Sequence, residues 1–316
     1  MSDRPRRLYP QELAKISQAV PPPIGSCSAD DLDEPGVTIV MLSYERFHLT
    51  RRTIDSIYKN TSYPFNILVF DNGSSPGTVS KLRDLSTGYG NMLVYYNPDN
   101  LGASEGRNRA FEMVGSEYVV SLDNDILCSP GWLMETMRTA VLFEASFVAP
   151  MRLDVGGNVW SHAAELVYTD NGDVLEIARW FHDLPPGYIR SLLNGKSIPT
   201  NFLPGGAGLY KVSAFSDCGG FDPALRHFED LEFSLRVTEE GYKIWTSQDA
   251  MLTHDDEWIP VSEPDRDYVL KHYDPGKLRK SAAYFKSKWG VDVFPEKYEV
   301  AFRNRLSSKL EEKSNG

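Results

Sequence analysis

The stretch of sequence that decides the fold is Tyr118-Val119-Val120-Ser121-Leu122-Asp123-Asn124-Asp125. It opens on an apolar run of strand length and ends in an acidic turn. Carboxylates at positions i and i+2 after a buried strand project where a divalent ion can reach them, and such ions prefer oxygen ligands. Plain turn chemistry is the alternative, because Asp and Asn bend many chains. The place at a strand end favours a metal or phosphate site.

Short β-rich runs alternate with stretches of helical period on the N-terminal side of this turn. We predict strands over 37–42, 66–70, 92–96 and 118–122, and helices near 46–59, 75–85 and 103–114. Such alternation indicates a parallel sheet with right-handed crossovers. The apolar runs are continuous, as expected of strands that are buried on both faces. The predicted fold class is therefore α/β, with a mostly parallel, Rossmann-like central sheet flanked by helices.

The alternation weakens after residue 145, where we predict longer strands over 158–168 and 174–180 and a late strand over 243–246. A Pro/Gly-rich stretch runs from Pro185 to Gly208. We expect this less regular half to shape an acceptor site.

We divide the chain into an N-terminal extension (1–35), a catalytic domain (36–258) and a helical C-terminal extension (259–316). Within the catalytic domain we assign nucleotide binding to 36–125 and acceptor binding to 126–258. Many basic residues lie between Lys271 and Lys313. We interpret the C-terminal extension as a solvated helical appendage, with an interface for a partner or an anionic membrane surface as the alternative.

Composition narrows the class of function. A net charge of −11 over 316 residues argues against nucleic-acid binding, which depends on Lys and Arg that neutralise phosphates. An anionic substrate would therefore need a local metal or basic pocket. Cys27, Cys128 and Cys218 are widely separated, as in a reducing compartment. No apolar run has the length of a membrane span, and no apolar segment follows the N-terminal arginines, so we expect a cytoplasmic protein.

Polar residues follow the first two predicted strands, at the edge of the sheet where α/β proteins bind ligands. The first strand ends in Ser43-Tyr44-Glu45-Arg46 and the second in Asp71-Asn72-Gly73-Ser74. Tyr44 could stack on a base or pack at the edge of the core. Asp71 could accept hydrogen bonds from a base or ribose, or form only a turn with Ser74 or Ser75 as helix N-cap.

A loop rich in glycine and asparagine follows the third predicted strand and opens a helix. Gly102 and Gly106 permit close backbone approach, and Arg107 could pair with a diphosphate. The loop is not a G-x-G-x-x-G and does not follow the first strand, which argues against dinucleotide binding.

Two later segments also carry candidate chemistry. Glu229, Asp230 and Glu232 lie in the first turn of a predicted helix, where acids complement the helix dipole or serve as general base. Glycine pairs precede this helix and leave room for a substrate. His254 stands beside acids at the end of a late element, as a metal or phosphate ligand or as an ordinary structural histidine.

Taken in order, these segments resemble family 2 glycosyltransferases, which have the A-type glycosyltransferase fold. The resemblance covers about residues 36 to 256. It rests on Val37 to Tyr44, Phe70-Asp71-Asn72-Gly73-Ser74, Asn100-Leu101-Gly102 with Gly106-Arg107-Asn108, Leu122-Asp123-Asn124-Asp125, Gly205-Gly206-Ala207, Gly219-Gly220-Phe221-Asp222 and Glu229-Asp230.

The resemblance implies a role for each matching position. Nucleotide and donor binding fall to Ser43, Tyr44, Arg46, Asp71, Asn100, Gly102, Arg107, Asp123 and Asn124. A Mn²⁺ or Mg²⁺ cofactor would be held by Asp123, Asp125 and His254. Gly205 and Gly206 would lie against the acceptor or the donor sugar. Asp230 would be the general base, with Glu229 touching donor or acceptor hydroxyls.

The implied reaction is an inverting transfer from a nucleoside-diphosphate sugar, expected to be a UDP-sugar, to a hydroxyl of a glycan, lipid-linked, peptide or small-molecule acceptor. A sugar-nucleotide pyrophosphorylase would need a Gly-rich basic loop after the first strand, where this chain has Ser43-Tyr44-Glu45-Arg46-Phe47. A non-catalytic nucleotide-sugar-binding subunit is the other alternative, against which the acids at positions 123, 125 and 230 argue.

Overall fold

The structure, a computed structural model, describes residues 36–169, 172–255 and 260–311. The expected N-terminal extension and the domain boundary expected at residue 258 lie outside these described residues. Among them, no helix combines the length and apolar character that a membrane crossing requires.

Strands and helices alternate through the first half of the described chain. The elements are β1 (Val37–Ser43), α1 (Phe47–Asn60), β2 (Asn66–Asn72), α2 (Pro76–Ser86), β3 (Met92–Asn97), α3 (Ala103–Glu112) and β4 (Tyr118–Asp123). The predicted elements of this half are all present, with ends that differ from the prediction by one or two residues.

The second half is more mixed. It contains β5 (Ile126–Cys128), α4 (Trp132–Leu142), β6 (Phe147–Leu153), β7 (Val159–Ser161), β8 (Glu165–Thr169), β9 (Val174–Ala178), α5 (Pro186–Leu192), β10 (Pro199–Thr200), β11 (Ala207–Lys211), α6 (Val212–Asp217), α7 (Glu229–Glu239) and β12 (Ile244–His254). The C-terminal part forms α8 (Glu263–His272), α9 (Pro275–Trp289) and α10 (Glu296–Glu311).

One sheet organises the molecule, with strand order β10-β12-β6-β11-β4-β1-β2-β3. Strands β3, β2, β1 and β4 are parallel neighbours, and β11 runs antiparallel between β4 and β6. β12 is parallel to β6 and antiparallel to β5. The predicted mostly parallel sheet flanked by helices is confirmed.

The core lies on both faces of this sheet. Along β4, Tyr118, Val120 and Leu122 belong to one buried apolar cluster, and Val119 belongs to the cluster on the opposite face. Both faces of the strand therefore need apolar side chains, which is the physical reason for its continuous apolar run.

Two strand predictions were wrong. The strand expected over 158–168 is split, because β7 pairs with β6 while β8 pairs with β9, and Ala163 between them has a φ of 47°. The late strand expected to end at residue 246 continues to His254. A register shift between Ser247 and Met251 lets β12 follow β6 past an irregularity instead of ending there.

The C-terminal helices are packed against the domain, which corrects their interpretation as a solvated appendage. Val269 and Tyr273 bury against Leu49 of α1. On α9, Ala282 and Phe285 belong to a buried apolar cluster shared with the catalytic domain. Apolar side chains buried in this way supply most of the free energy that holds a helix in place.

The turn between β1 and α1 is linked to the N-terminus of α2 by hydrogen bonds. Glu45 and Arg46 both have positive φ values, 49° and 45°. The Glu45 carboxylate accepts hydrogen bonds from the backbone N–H of Ser75 at 2.7 Å and from the Thr78 hydroxyl at 2.7 Å. Ser75 occupies the N-cap position of α2, but its side chain makes no capping hydrogen bond. A distant glutamate therefore binds the N-terminus of α2, at the backbone N–H of its N-cap residue and at the Thr78 hydroxyl.

We predict that Glu45→Ala lowers the free energy of unfolding by about 1–2 kcal/mol, as loss of a helix cap does. Urea denaturation followed by circular dichroism measures the change. Glu112→Ala, at an exposed position at the end of α3, is the matched control and should change stability little. Equal stabilities of the two variants would contradict the capping role.

Candidate active site

A cleft of about 800 Å³ opens at the carboxyl ends of the parallel strands. Most of the predicted site residues line it, namely Tyr44, Arg46, Asn100, Gly102, Arg107, Asp123, Asp125, Glu229 and His254. Its volume suits a ligand of the size of a nucleotide or larger. The structure thus brings together residues from the ends of β1, β3, β4, α7 and β12.

The turn after β4 is held in place by a buried hydrogen-bond network. The Asn124 side chain donates to the Thr50 hydroxyl at 3.0 Å and accepts from Arg46 Nη2 at 2.6 Å. Its backbone carbonyl accepts from the Thr53 hydroxyl at 2.9 Å. Ser43 lies 3.1 Å from Thr50 in the same network. Ser43 and Asn124 are fully buried, so their expected part in donor binding remains a prediction.

Asp125 uses its two carboxylate oxygens differently. Oδ2 accepts a hydrogen bond from Arg46 Nη1 at 2.9 Å, and Oδ1 lies 3.7 Å from Nε2 of His254. The antiparallel pairing of β12 with β5 sets His254 opposite Ile126, beside the acidic turn. Among the described residues, Asp125 Oδ1 is buried and has no hydrogen-bond partner.

This orphaned oxygen fits a divalent ion. A carboxylate oxygen beside an imidazole nitrogen is a donor pair that Mn²⁺ accepts, and Mg²⁺ is commonly held by one or two carboxylates together with substrate phosphates. Within residues 36–169, 172–255 and 260–311, no group of three or more His, Cys, Asp or Glu side chains forms a complete metal cage. Of the described residues, Asp125 and His254 would therefore share an ion with oxygens of a substrate or of water.

Arg107 joins the acidic turn to the start of α7. Its guanidinium donates to Asp123 Oδ1 and to Glu229 Oε1, each at 2.7 Å. Burial opposes the charged form of Arg107, but the two carboxylates outweigh it and raise its pKa above the ordinary value. Burial likewise opposes ionisation of Asp123, yet Arg107 lowers its pKa. Asp123 keeps 39% of its side chain exposed, so a ligand in the cleft can reach it.

Gly205 and Gly206 lie directly beside the ion pairs of Arg107. The Gly206 carbonyl accepts a hydrogen bond from the Asp123 backbone N–H at 2.9 Å. A Cβ at position 206 would lie 1.9 Å from Asp123 Oδ2, and one at position 205 would lie 3.2 Å from Arg107 Nη1. Any side chain at 206 would displace the carboxylate. The expected contact of these glycines with a sugar remains a prediction.

Asp230 sits next to this cluster and differs from it electrostatically. Burial and the neighbouring Glu229 carboxylate raise the pKa of Asp230 to about 6, although Arg107 partly offsets them. The backbone N–H of Gly205 and that of Leu231 donate to its carboxyl group. A carboxylate that titrates near neutrality is suited to accept a proton.

The ends of β2 and β3 form the remaining edge of the cleft. Asp71 is completely buried below the surface, where burial raises its pKa, and one of its carboxylate oxygens has no hydrogen-bond partner among the described residues. Asn72, to which we assigned no role from the sequence, lines the cleft instead. Its side chain accepts from Leu101 N at 2.9 Å and donates to the Gly102 carbonyl at 3.0 Å. Binding of a base or ribose by Asp71 remains a prediction.

The C-terminal helices supply a wall of the cleft that sequence reasoning missed. The Tyr268 ring lies 3.9 Å from the Arg46 guanidinium, and the Asp265 carboxylate accepts from the Arg46 backbone N–H at 3.1 Å. Lys271 and Lys277 also line the cleft. The sequence showed many basic residues from Lys271 onward, but it did not show that Lys271 and Lys277 line the cleft.

Comparison with known proteins gives the family. Residues 38–219, more than half of the chain, match the family model described as glycosyl transferase family 2. The glycosyltransferase AglE of Haloferax volcanii is 25% identical over 226 residues, which cover 70% of this chain and 67% of AglE. An N-acetylglucosaminyl-diphospho-decaprenol L-rhamnosyltransferase of Mycobacterium tuberculosis is 24% identical over 233 residues, covering 68% and 75%.

Solved structures agree on the fold. One is the structure of GalNAc-T7 with UDP, GalNAc and Mn²⁺, which has a TM-score of 0.58 and 17% identity and covers 88% of this chain. The chain spans only 55% of that protein. The mannosyltransferase PcManGT of Pyrobaculum calidifontis, in complex with GDP-Man and Mn²⁺, has a TM-score of 0.57 and 16% identity, covering 94% of this chain and 76% of its own.

The sheet order and flanking helices are those of the A-type glycosyltransferase fold. The match of the family model over more than half of the chain and the named relatives agree with each other. The chain belongs to glycosyl transferase family 2, and it is a glycosyltransferase.

Proposed function

We propose that this enzyme transfers a sugar from a UDP-sugar to an acceptor hydroxyl with inversion at the sugar carbon, in a reaction that depends on Mn²⁺ or Mg²⁺. The observation that carries the proposal is the convergence of Asp125 Oδ1 and His254 Nε2 in the cleft, 3.7 Å apart. The raised pKa of Asp230 supports its assignment as the base. Structural relatives described with UDP or with Mn²⁺ support the choice of donor and ion.

The donor would lie along the edge formed by β1, β2 and β4. Tyr44 lines the cleft and offers its ring to the base, and Asn72 lines the same cleft. A contact of the base with the completely buried Asp71 carboxylate would require that carboxylate to become accessible. Arg107 would contact the diphosphate or the donor sugar, although in the structure it holds Asp123 and Glu229. A panel of UDP, GDP and dTDP in thermal-shift assays identifies the nucleotide, because a bound ligand raises apparent stability.

Asp125 and His254 would hold the ion. The ion would neutralise charge that builds up on the leaving nucleoside diphosphate. Asp125 is fixed for this task by Arg46, which occupies Oδ2 and leaves Oδ1 directed at His254. Asp123 is kept ionised by Arg107 and remains accessible to the ribose or the ion.

Asp230 would remove the proton of the attacking acceptor hydroxyl on the face of the sugar opposite the leaving group. Its hydrogen bonds from Gly205 and Leu231 orient the carboxyl group. The Glu229 carboxylate helps to raise the pKa of Asp230 and, through Arg107, connects the base to the donor side. The acceptor itself, and a cytoplasmic location with peripheral membrane contact, stay predictions from the sequence.

We predict that Asp230→Asn lowers kcat by about 10²- to 10⁴-fold, the range expected for loss of a general base. Binding of UDP with Mn²⁺, measured by calorimetry, should stay nearly unchanged. Glu239→Gln, at an exposed position of the same helix, is the control. Turnover near that of the wild type in Asp230→Asn would refute the assignment of the base. Nucleotide and metal binding with no transfer by the wild type would favour the non-catalytic subunit.

The pH dependence of kcat/KM tests the same residue independently. A base with a pKa of about 6 is active when deprotonated, so kcat/KM should be constant above this pH and fall about tenfold per pH unit below it. Glu229→Gln removes a charge that raises the Asp230 pKa, and the acid limb should therefore move to lower pH. A limb that moves to higher pH, or does not move, would contradict this electrostatic coupling.

We predict that Asp125→Ala and His254→Ala each weaken Mn²⁺-dependent binding of UDP, because each removes one protein ligand of the ion. Calorimetric titration of UDP with and without Mn²⁺ measures the effect. His182→Ala serves as the control, because His182 contacts Trp160 outside the cleft. Folding is checked by circular dichroism, since Asp125 also pairs with Arg46. Mn²⁺-dependent binding equal to that of the wild type in folded His254→Ala would exclude the histidine as ligand.

A further inference from the structure

The charges that line the cleft do not balance. Among the described residues that line it, three acids, Asp123, Asp125 and Glu229, face five cations, which are Arg46, Arg107, Arg226, Lys271 and Lys277. These described residues together carry a net charge of +2 when the histidines are neutral, although the whole chain carries −11. A positive cleft in an acidic protein attracts an anionic substrate by local electrostatic focusing.

Two of the five cations form salt bridges with the acids of the cleft. Arg46 pairs with Asp125, and Arg107 pairs with both Asp123 and Glu229. These two arginines account for all three acids of the cleft. They also lie on the side of the cleft where the donor is proposed to bind.

The other three cations, Arg226, Lys271 and Lys277, form what we call the cationic wall. Across the described parts of the chain, none of their side chains forms a salt bridge within 4.0 Å. Arg226 Nη1 donates a long hydrogen bond of 3.4 Å to the Asn100 carbonyl, and Lys277 Nζ donates one of 3.3 Å to the Lys271 carbonyl. All three residues are exposed, so a solute can reach them.

The cationic wall belongs to different elements from those of the proposed donor site. Lys271 lies in α8, Lys277 lies in α9, and Arg226 lies in the loop before α7. All three follow residue 219, where the match to the family model ends. The donor side, by contrast, is built from β1, β2, β4, β12 and the loop after β3, where the Asn100 carbonyl accepts the long hydrogen bond from Arg226.

The donor alone does not explain the cationic wall. A nucleoside-diphosphate sugar carries one negative charge on each phosphate, and a divalent ion offsets both. The three cations of the wall are then left over. Lys and Arg are the residues that bind phosphate oxygens most strongly. A second diphosphate, which carries two negative charges, would balance the excess of two positive charges in the cleft.

We infer that the cationic wall of Arg226, Lys271 and Lys277 is a second diphosphate subsite, which holds an acceptor that carries its sugar on a diphosphate ester. This inference rests on the proposed function, since it presumes that the donor diphosphate is held with the ion at Asp125. The acceptor diphosphate lies on α8 and α9, and its sugar hydroxyl points toward Asp230.

Calorimetry with a simple probe tests this subsite. The probe is P1,P2-diethyl diphosphate, titrated into the full chain that is already saturated with UDP and Mn²⁺, with a blank titration into the same buffer. We expect the wild type to bind the probe without release of UDP. The double variant Lys271→Gln/Lys277→Gln should bind it about tenfold or more weakly, because it loses two charged hydrogen-bond donors.

The matched control is Lys196→Gln/Lys280→Gln, which removes the same charge at two exposed lysines outside the cleft. It should bind the probe as the wild type does. Both double variants should bind UDP with Mn²⁺ as the wild type does.

Three results with the probe would overturn the subsite. They are a donor-loaded wild type that does not bind the probe, a probe that displaces UDP, and equal probe binding by the two double variants. Loss of UDP affinity in Lys271→Gln/Lys277→Gln would assign the wall to the donor and also overturn it. Failure of the wild type to bind UDP with Mn²⁺ would refute the proposed function instead.

Discussion

The buried guanidinium of Arg46 is the contact on which the rest of the site depends. It binds Asp125 and Asn124 of the acidic turn, and its face lies on the Tyr268 ring of α8. Its backbone N–H is held by Asp265 at the start of the same helix. One residue thus joins the first strand end, the acidic turn and the C-terminal helices. Removal of either partner of such a buried pair leaves an uncompensated charge, at a typical cost of about 3–5 kcal/mol.

Arg107 performs a comparable task on the other side of the turn. By pairing with Asp123 and Glu229 it keeps both carboxylates close together despite their mutual repulsion. Fixed charges of this kind do not need to reorganise during a reaction, which is how preorganised sites stabilise transition states. Asp230 lies beside these pairs, and its pKa rises because burial and Glu229 outweigh the help of Arg107. The same cluster therefore lowers the pKa of Asp123 while it leaves the pKa of Asp230 raised.

The C-terminal helices complete the cleft. Their apolar residues bury against α1 and the second half of the domain, and their polar residues form a wall of the cleft. This placement turns a run of basic residues, which looks like ordinary solvated surface in the sequence, into charge that lines the cleft. The position of a charge relative to a cleft matters more for binding than the net charge of the chain.

The sequence by itself determined the fold class, because parallel strands that are buried on both faces leave continuous apolar runs that can be read locally. The same local reasoning placed the ends of β1, β2 and β4, and with them Tyr44, Asp123 and Asp125, at one edge of the sheet. A resemblance in motif order then connected Asp230 and His254 to that edge.

Only the tertiary structure decided which of these side chains meet. His254 reaches Asp125 because β12 pairs with β5, and a register shift inside β12 leaves no local trace in the sequence. Glu45 binds the N-cap residue of α2, Ser75, across a separation of 30 residues. Apolar periodicity records whether a residue is buried, but it does not record its partner. Partners depend on packing and strand register, which are properties of the whole chain.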